Sequence, residues 1–341
     1  SNYSLFGDGP IVSGERGDIA VRPQTPADTR GTAGSAVDGR GGEPFDSRAS
    51  AEYQPSDAVR EEAERSGSDV KQKRIAQNAA EDIAVTVGDL ANIRRTLPFL
   101  HEHQQADVHF AETRLAANDG VMFTNGTGTG KTYVGLGIAK RFHRQGKTNG
   151  IIIAPNDKIL ADWQTSALNL NLSLKRLTDT QDSGGAGTVL TTYANYRANK
   201  ELVERDWDFV IFDEAHYLGQ NKDGNDTSAL AMMRATTLHP RGAYSNHLVK
   251  NAEKIDEVSV LALEAARLNK QLRRTYDRDA KRPIREQYNA AEEKLQKAQR
   301  ELDQLREAAE SEFHAKLKAG KRTKVVFLSA TPFAYEKNVE Y

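Results

Sequence analysis

At 341 residues the chain is long enough for one large domain or two ordinary ones. Hydrophobic residues make up only 38% of it and mean hydropathy is -0.66, which excludes a core running from end to end and predicts unfolded or solvated helical segments. The formal net charge of -1 excludes a uniformly basic surface, and the absence of cysteine excludes disulfides and cysteine-based zinc sites.

Residues 1–69 are dense in Gly, Ser, Pro, Asp and Arg with no sustained helical or strand period, and read as a disordered, low-complexity leader. Between 70 and 118 the apolar positions Ile75, Ala79, Ile83 and Val87, then Ile93, Leu97 and Leu100, recur at three and four residues. That spacing predicts a helical extension of one to three amphipathic helices. From 119 to 341 the grammar changes to short apolar runs at 121–123, 151–154, 188–192, 209–212 and 325–328, separated by helical stretches. Such runs predict a doubly wound α/β lobe with a parallel sheet covered on both faces.

An insertion over about 250–320 interrupts the lobe. Its second half carries Tyr288, Ala291, Leu295, Ala298, Leu302, Leu305 and Ala309 at heptad spacing, and the segment 277–283, DRDAKRP, is a charged helix breaker. The expected structure is an antiparallel coiled-coil hairpin, with charges of both signs along it. One basic cluster, Lys316, Lys318, Lys321, Arg322 and Lys324, follows at its return; it either touches phosphates or simply solubilises the surface. No apolar run approaches the roughly 18 residues that span a bilayer, so no membrane partner and a cytoplasmic location are expected. The chain starts at Ser1 rather than a methionine and stops at Tyr341 just past a motif, so both ends look cut from something longer.

Chemistry concentrates at three places. NGTGTGKT, 125–132, directly follows the run 121–123 and precedes a helical stretch, the strand-loop-helix setting of a phosphate-binding loop. The backbone N–H groups of Gly126, Thr127, Gly128, Thr129 and Gly130 would turn around a phosphate chain, Lys131 would reach its outer phosphates, and the Thr132 hydroxyl would ligate Mg²⁺. Asn125 stands where the formal pattern has its first glycine. Asp213, Glu214, Ala215 and His216 follow the run 209–212; an aspartate there can hold Mg²⁺ through water and the adjacent glutamate can activate a water. Ser329, Ala330 and Thr331 close the run 325–328.

GTGTGKT, DEAH and LSATP, in that order, resemble motifs I, II and III of superfamily 2 helicases. The resemblance covers about residues 97–332 without the hairpin and implies a RecA-like, P-loop ATPase lobe using ATP and Mg²⁺. It also implies catalytic roles for Lys131, Asp213, Glu214 and His216, and coupling by Ser329 and Thr331. Residues 151–155 with Leu160 and Trp163 look like motif Ia. With Thr191, Thr192 and Tyr193, which resemble a signature of Swi/Snf-like and restriction-enzyme-like motors, they imply nucleic-acid contacts at Pro155, Trp163 and Thr192. Gln104 or Gln105, about twenty residues before the loop, matches the family's adenine-reading glutamine, with Gln104 preferred.

What the resemblance implies is an ATP-dependent helicase or translocase, acting on DNA rather than RNA, that works with a second RecA-like lobe beyond residue 341. Likeness extends to helicase modules of large phage and plasmid polypeptides, some linked to methyltransferases and antirestriction, so a bacterial or virion setting is the expectation. The competing reading is an ATP-dependent scaffold whose helical hairpin docks a protein partner. A P-loop kinase leaves the three motifs together unexplained.

Overall fold

The computed structural model describes residues 57–124, 130–219, 228–320 and 322–329. Of the disordered leader expected over 1–69, residues 1–56 lie outside them, and 57–69 are helical instead. The chain divides into one unit of Asp8–Asp69 and one built on Val70–Tyr341. The described part of the first is the opening of helix α1 (Asp57–Ala79).

The second unit is built on six parallel strands: β1 (Gly120–Phe123), β2 (Gly150–Ala154), β3 (Lys175–Arg176), β4 (Val189–Thr192), β5 (Phe209–Asp213) and β6 (Lys324–Leu328). They lie in the order β1-β6-β5-β2-β4-β3. Five of these are the apolar runs of the sequence; β3 has no such run. Because side chains alternate across a strand, Ile152 and Ala154 join one core with helices α2 (Leu90–Thr96), α3 (Glu102–Ala117), α4 (Lys131–Arg144) and α5 (Asp157–Leu168). Ile151 and Ile153 join the other core, with α6 (Tyr193–Ala198) and α7 (Ser228–Thr236). Both faces are therefore covered, and the fold is the RecA-like parallel α/β sheet expected.

The helical extension departs from its apolar spacing. Ile75 is 60% exposed and Val87 50% exposed, and the chain is irregular from 80 to 89. Side chains of α4 take the carbonyls that a continued helix would have used. Arg144 donates to the carbonyl oxygens of Ala80, Glu81 and Ile83, and Arg141 to that of Thr86. Arg141 is also wholly buried. It donates from Nε and Nη2 to the two carboxylate oxygens of Glu112 at 2.6 and 2.9 Å, and from Nη1 to Asn92 Oδ1 and Thr96 Oγ1 at 2.6 and 2.8 Å. Glu112 in turn accepts from Gly88 N at 2.7 Å. A buried polar network thus pins α2 and α3 to α4, the helix that begins at Lys131.

Beyond α7, helix α8 (Ala243–Lys250) leads into α9 (Ala252–Arg274), which folds back against α10 (Arg278–Lys318). Lys254 with Glu301 at 2.5 Å, Asn251 with Leu305 O and Asn246 with Ala309 O step in opposite directions along the two segments, which makes them antiparallel. Ala265, Leu268 and Ala291, with Tyr288 and Leu295 against them, form their seam. The breaker expected over 277–283 is corrected: the connection is Thr275, Tyr276 and Asp277, and 278–283 open α10. Asp277 caps α10 by accepting from Asp279 N and Ala280 N, and Pro283 lies inside the helix, where it removes one hydrogen bond close to the N-terminus.

The basic cluster at the hairpin's return also reads differently in space. Lys316 sits 3.2 Å from Glu312, and Lys324 and Arg322 sit 3.1 and 3.7 Å from Asp119. Lys321 is outside the described residues. Among those described, no helix is long and apolar enough to cross a membrane.

Candidate functional site

Phe123 of β1 is level with Leu328 of β6, and Leu328 is level with Asp213 of β5. Three chain segments consequently leave the sheet at one edge, and at two strand spacings β1 and β5 lie about 10 Å apart. Between them Ser329, fully buried, donates its N–H to Phe123 O at 3.0 Å and ties β6 to β1 where both end. Carboxyl ends of parallel strands are where such sheets take ligands.

Gly126, Thr127, Gly128, Thr129 and Thr331 lie outside the described residues. The chain resumes at Gly130, the N-cap of α4, with φ 75° and ψ 32°. Only glycine takes this left-handed conformation without strain, and a Cβ here would overlap Gln104 Nε2. Gln104 is held over Gly130. Its Oε1 accepts from His101 N at 3.0 Å and its Nε2 reaches Gly130 O at 3.5 Å. Gln105 points the other way, donating to the carbonyls of Leu97 and Leu100 at 3.0 Å each. Of the two glutamines weighed as adenine-facing, Gln105 is thus committed to the extension, and only Gln104 borders the loop.

Gly130→Ala therefore combines strain of about 1–2 kcal/mol with a clash against Gln104. Calorimetric titration is expected to give at least tenfold weaker ATP binding, by order of magnitude. Gly146, with φ 77° and open space around it, supplies the control: Gly146→Ala carries the strain without the clash and should bind ATP normally. Equal affinity in the two variants would count against Gln104 and Gly130 forming part of the site.

Asp213 is 8% exposed at the end of β5. Burial pushes its carboxyl above the usual aspartate range; the Trp163 indole N–H counters this, the neighbouring Glu214 charge adds to it, and the Lys131 charge opposes it. Lys131, the first residue of α4, is thus near enough to be felt at Asp213 across the edge. Two aromatic residues hold the aspartate. Trp163 Nε1 donates to Asp213 Oδ2 at 2.9 Å, and Tyr193 Oη donates to the Asp213 carbonyl at 2.9 Å.

The nucleic-acid contact expected of Trp163 is corrected by this geometry. The side chain has no exposed surface, and its six-membered ring packs over Gly135 in α4, where a Cβ would lie 2.6 Å from it. Glycine inside a helix is unfavourable by about 1 kcal/mol relative to alanine, so its presence at 135 reflects the ring above it. The positioning roles of Trp163 and Tyr193 were missed in the sequence, where the only signal is an aromatic residue a few positions after a strand.

Past Asp213 the chain turns sharply. Glu214 adopts φ 51° and ψ 57°, a left-handed conformation rare for a residue with a side chain, and starts a 3-10 turn at Ala215–Leu218. His216 Nδ1 lies 3.3 Å from Glu214 Oε2, close enough for an ion pair when protonated, yet without hydrogen-bonding geometry to any described residue. Thr132 is half-buried in the first turn of α4.

Pro155 and Thr192, both half-buried, follow the register pair of β2 and β4 in which Ala154 faces Thr192. They stand at the same edge on the far side of β5. Thr192 Oγ1 caps α6 by accepting from Asn195 N at 3.2 Å. Among the described residues there is no cluster of three or more His, Cys, Asp or Glu able to hold a metal alone. The Asp213 carboxylate, with the Glu214 and Lys131 charges acting on it, instead suits a cation that arrives on a phosphate-bearing ligand.

The family model described as Type III restriction enzyme, res subunit, matches residues 70–239. No curated protein matches the chain. Two solved structures are similar to it in part. One is a nuclease-deletion mutant of the Type ISP restriction-modification enzyme LlaGI in complex with a DNA substrate mimic, at 20% identity and TM-score 0.30, over 34% of this chain and 15% of that one. The other is the Sulfolobus solfataricus SWI2/SNF2 ATPase core in complex with dsDNA, at 14% identity and TM-score 0.33, over 57% of each chain.

Proposed function

We propose that this chain, which over residues 70–239 belongs to the Type III restriction enzyme res-subunit family of superfamily 2 helicase-like ATPases, is the ATP-binding lobe of a DNA translocase or helicase. The supporting observation is that β1, which leads towards Lys131, and β5, which ends in Asp213, finish level at one edge of the sheet, where the lysine charge opposes the upward shift of the buried carboxyl.

In this reading the N-terminus of α4 and Lys131 bind the triphosphate, using the helix dipole and the ammonium charge. Gln104 faces the adenine. Thr132 and, through water, Asp213 would hold Mg²⁺, which when bound supplies charge neutralisation on the β and γ phosphates. Glu214 orients the attacking water and accepts its proton, with His216 alongside. Trp163 and Tyr193 keep Asp213 fixed while this happens.

Pro155 and Thr192 lie where motif Ia and its neighbour would touch the tracking strand's phosphates, and Ser329 and Thr331 link that edge to the nucleotide. A second RecA-like lobe completes the ATPase site and converts its opening and closing into movement. The helical extension, the lobe and its inserted hairpin are proposed as separate parts near residues 70, 119 and 250–320. A phage or plasmid origin accords with the sequence likeness.

The test is ATP hydrolysis by a polypeptide carrying both lobes, with and without DNA. Stimulation by DNA, reduced by several orders of magnitude in Lys131→Ala, is the expected result. Hydrolysis indifferent to nucleic acid, or none at all, would favour the scaffold reading, with the hairpin as the working part.

A further inference from the structure

The hairpin's charges are not mixed evenly once its helices are paired. Along the shaft, four basic residues are matched by acids, Lys316 by Glu312 among them, and Glu and Asp are interspersed throughout. Lys254 lies against Glu257 and Glu301, Arg267 against Glu264, and Arg306 against Glu310. At the turn the balance changes. Arg273, Arg274, Arg278, Lys281, Arg282 and Arg285 face only Asp277 and Asp279 within that stretch, and Asp277 is occupied in capping α10.

Among the described residues, Arg282 alone of the six forms an ion pair, a 3.4 Å contact with Glu286 in which both side chains are largely exposed. Such a pair contributes little. Tyr276 stands in the middle of the connection and is 95% exposed, more than any other large hydrophobic side chain described. An aromatic ring left in water beside five arginines has no role in the seam, which is made lower down by Ala265, Leu268 and Ala291.

Helix α9, 23 residues long, carries this tip roughly 35 Å from its start beside α8. We infer that the tip is a second nucleic-acid contact, gripping single-stranded DNA through phosphates on its arginines and one unpaired base stacked on Tyr276. The chemistry favours this occupant over an acidic protein surface. Guanidinium groups suit phosphate oxygens, and a lone exposed aromatic ring adds nothing for a carboxylate but offers a base a stacking face. The arm would contact the strand at a distance from the sheet edge, whatever the lobe does with ATP.

The experiment is binding of a labelled oligothymidine to the whole chain, without nucleotide, across a salt series. Replacing Arg273, Arg274, Arg278 and Arg285 with glutamine is expected to weaken binding at least tenfold near 0.1 M salt. It should also make the dependence of log affinity on log salt shallower by about 3, near the single-strand value of 0.7 per lost phosphate contact. Tyr276→Ala should weaken the single strand roughly tenfold and a blunt duplex much less. The matching control neutralises Lys294, Lys297, Arg300 and Arg306 on the shaft and should leave affinity unchanged.

Arg273, Arg274, Tyr276, Arg278 and Arg285 are all exposed, so a thermal melt should confirm that these variants fold like the parent. Unchanged affinity in the tip variants, tighter binding of duplex than of single strand through the tip, or loss of binding to polyglutamate rather than to DNA would each overturn the inference. Lys131→Ala separates it from the motor reading: that variant should lose hydrolysis and keep its tip-dependent binding.

Discussion

Arg141→Met should lower the free energy of unfolding by about 3–5 kcal/mol, because it strands the buried Glu112 carboxylate without its partner. Methionine retains much of the arginine stem's packing, so the loss falls on the charge and its hydrogen bonds. The guanidinium serves Glu112, Asn92, Thr96 and the Thr86 carbonyl together, and every one of those groups is left short. Urea unfolding followed by circular dichroism measures the effect. Adding Glu112→Gln should recover part of the loss, since an uncharged amide is less costly to bury alone. A single variant within about 1 kcal/mol of the parent would mean that apolar packing, not this network, holds α2 and α3 to α4.

Trp163→Phe should raise the Mg²⁺ concentration needed for ATP hydrolysis by about 10- to 100-fold, the worth of a hydrogen bond of roughly 1.5–3 kcal/mol to a charged group. The benzene ring still fills much of the space over Gly135, but Asp213 loses the indole N–H that offsets its burial. The sign follows from that loss. Asp213 already holds its proton to a higher pH than a free aspartate, mainly through burial, and the substitution carries it further up. Folding stability from this group falls as pH rises from the free-aspartate pKa through the raised one, because the folded chain keeps a proton that the unfolded chain has released. Protons and the metal compete for the same oxygens, so the acid limb of the pH–rate profile should move to higher pH in the variant. An unmoved limb with unchanged Mg²⁺ demand would remove Trp163 from the site.

Strands were legible where the code is one-dimensional. Five apolar runs became five strands because a strand buried on both faces must be apolar throughout, whereas β3, two residues at the sheet's margin, leaves no such trace. Helix limits were less legible. The spacing of Ile75, Ala79, Ile83 and Val87 suits a helix, yet arginines sixty residues away capture the backbone there, and a local pattern holds no information about them. The loop and DEAH positions announce themselves by composition, since few sequences place those residue types after strands. Trp163 shows the opposite case. Its likeness to motif Ia implied an outward contact, and only the close approach of α4 at Gly135 reveals that it faces inward to Asp213. The basic residues at 316–324 likewise looked available until Asp119, a neighbour by folding, met two of them, while Glu312 one helical turn away met a third.

The strand order has a further consequence for how the molecule comes into being. Among the described residues β1 has β6 as its one neighbour in the sheet, and β6 is separated from it by some two hundred residues of chain. During synthesis β1 must wait without that ladder until the residues between it and β6 have emerged. Contacts so remote in sequence close slowly. The end of the sheet where β1, β6 and β5 finish level is therefore completed in one step, when β6 arrives between its two neighbours.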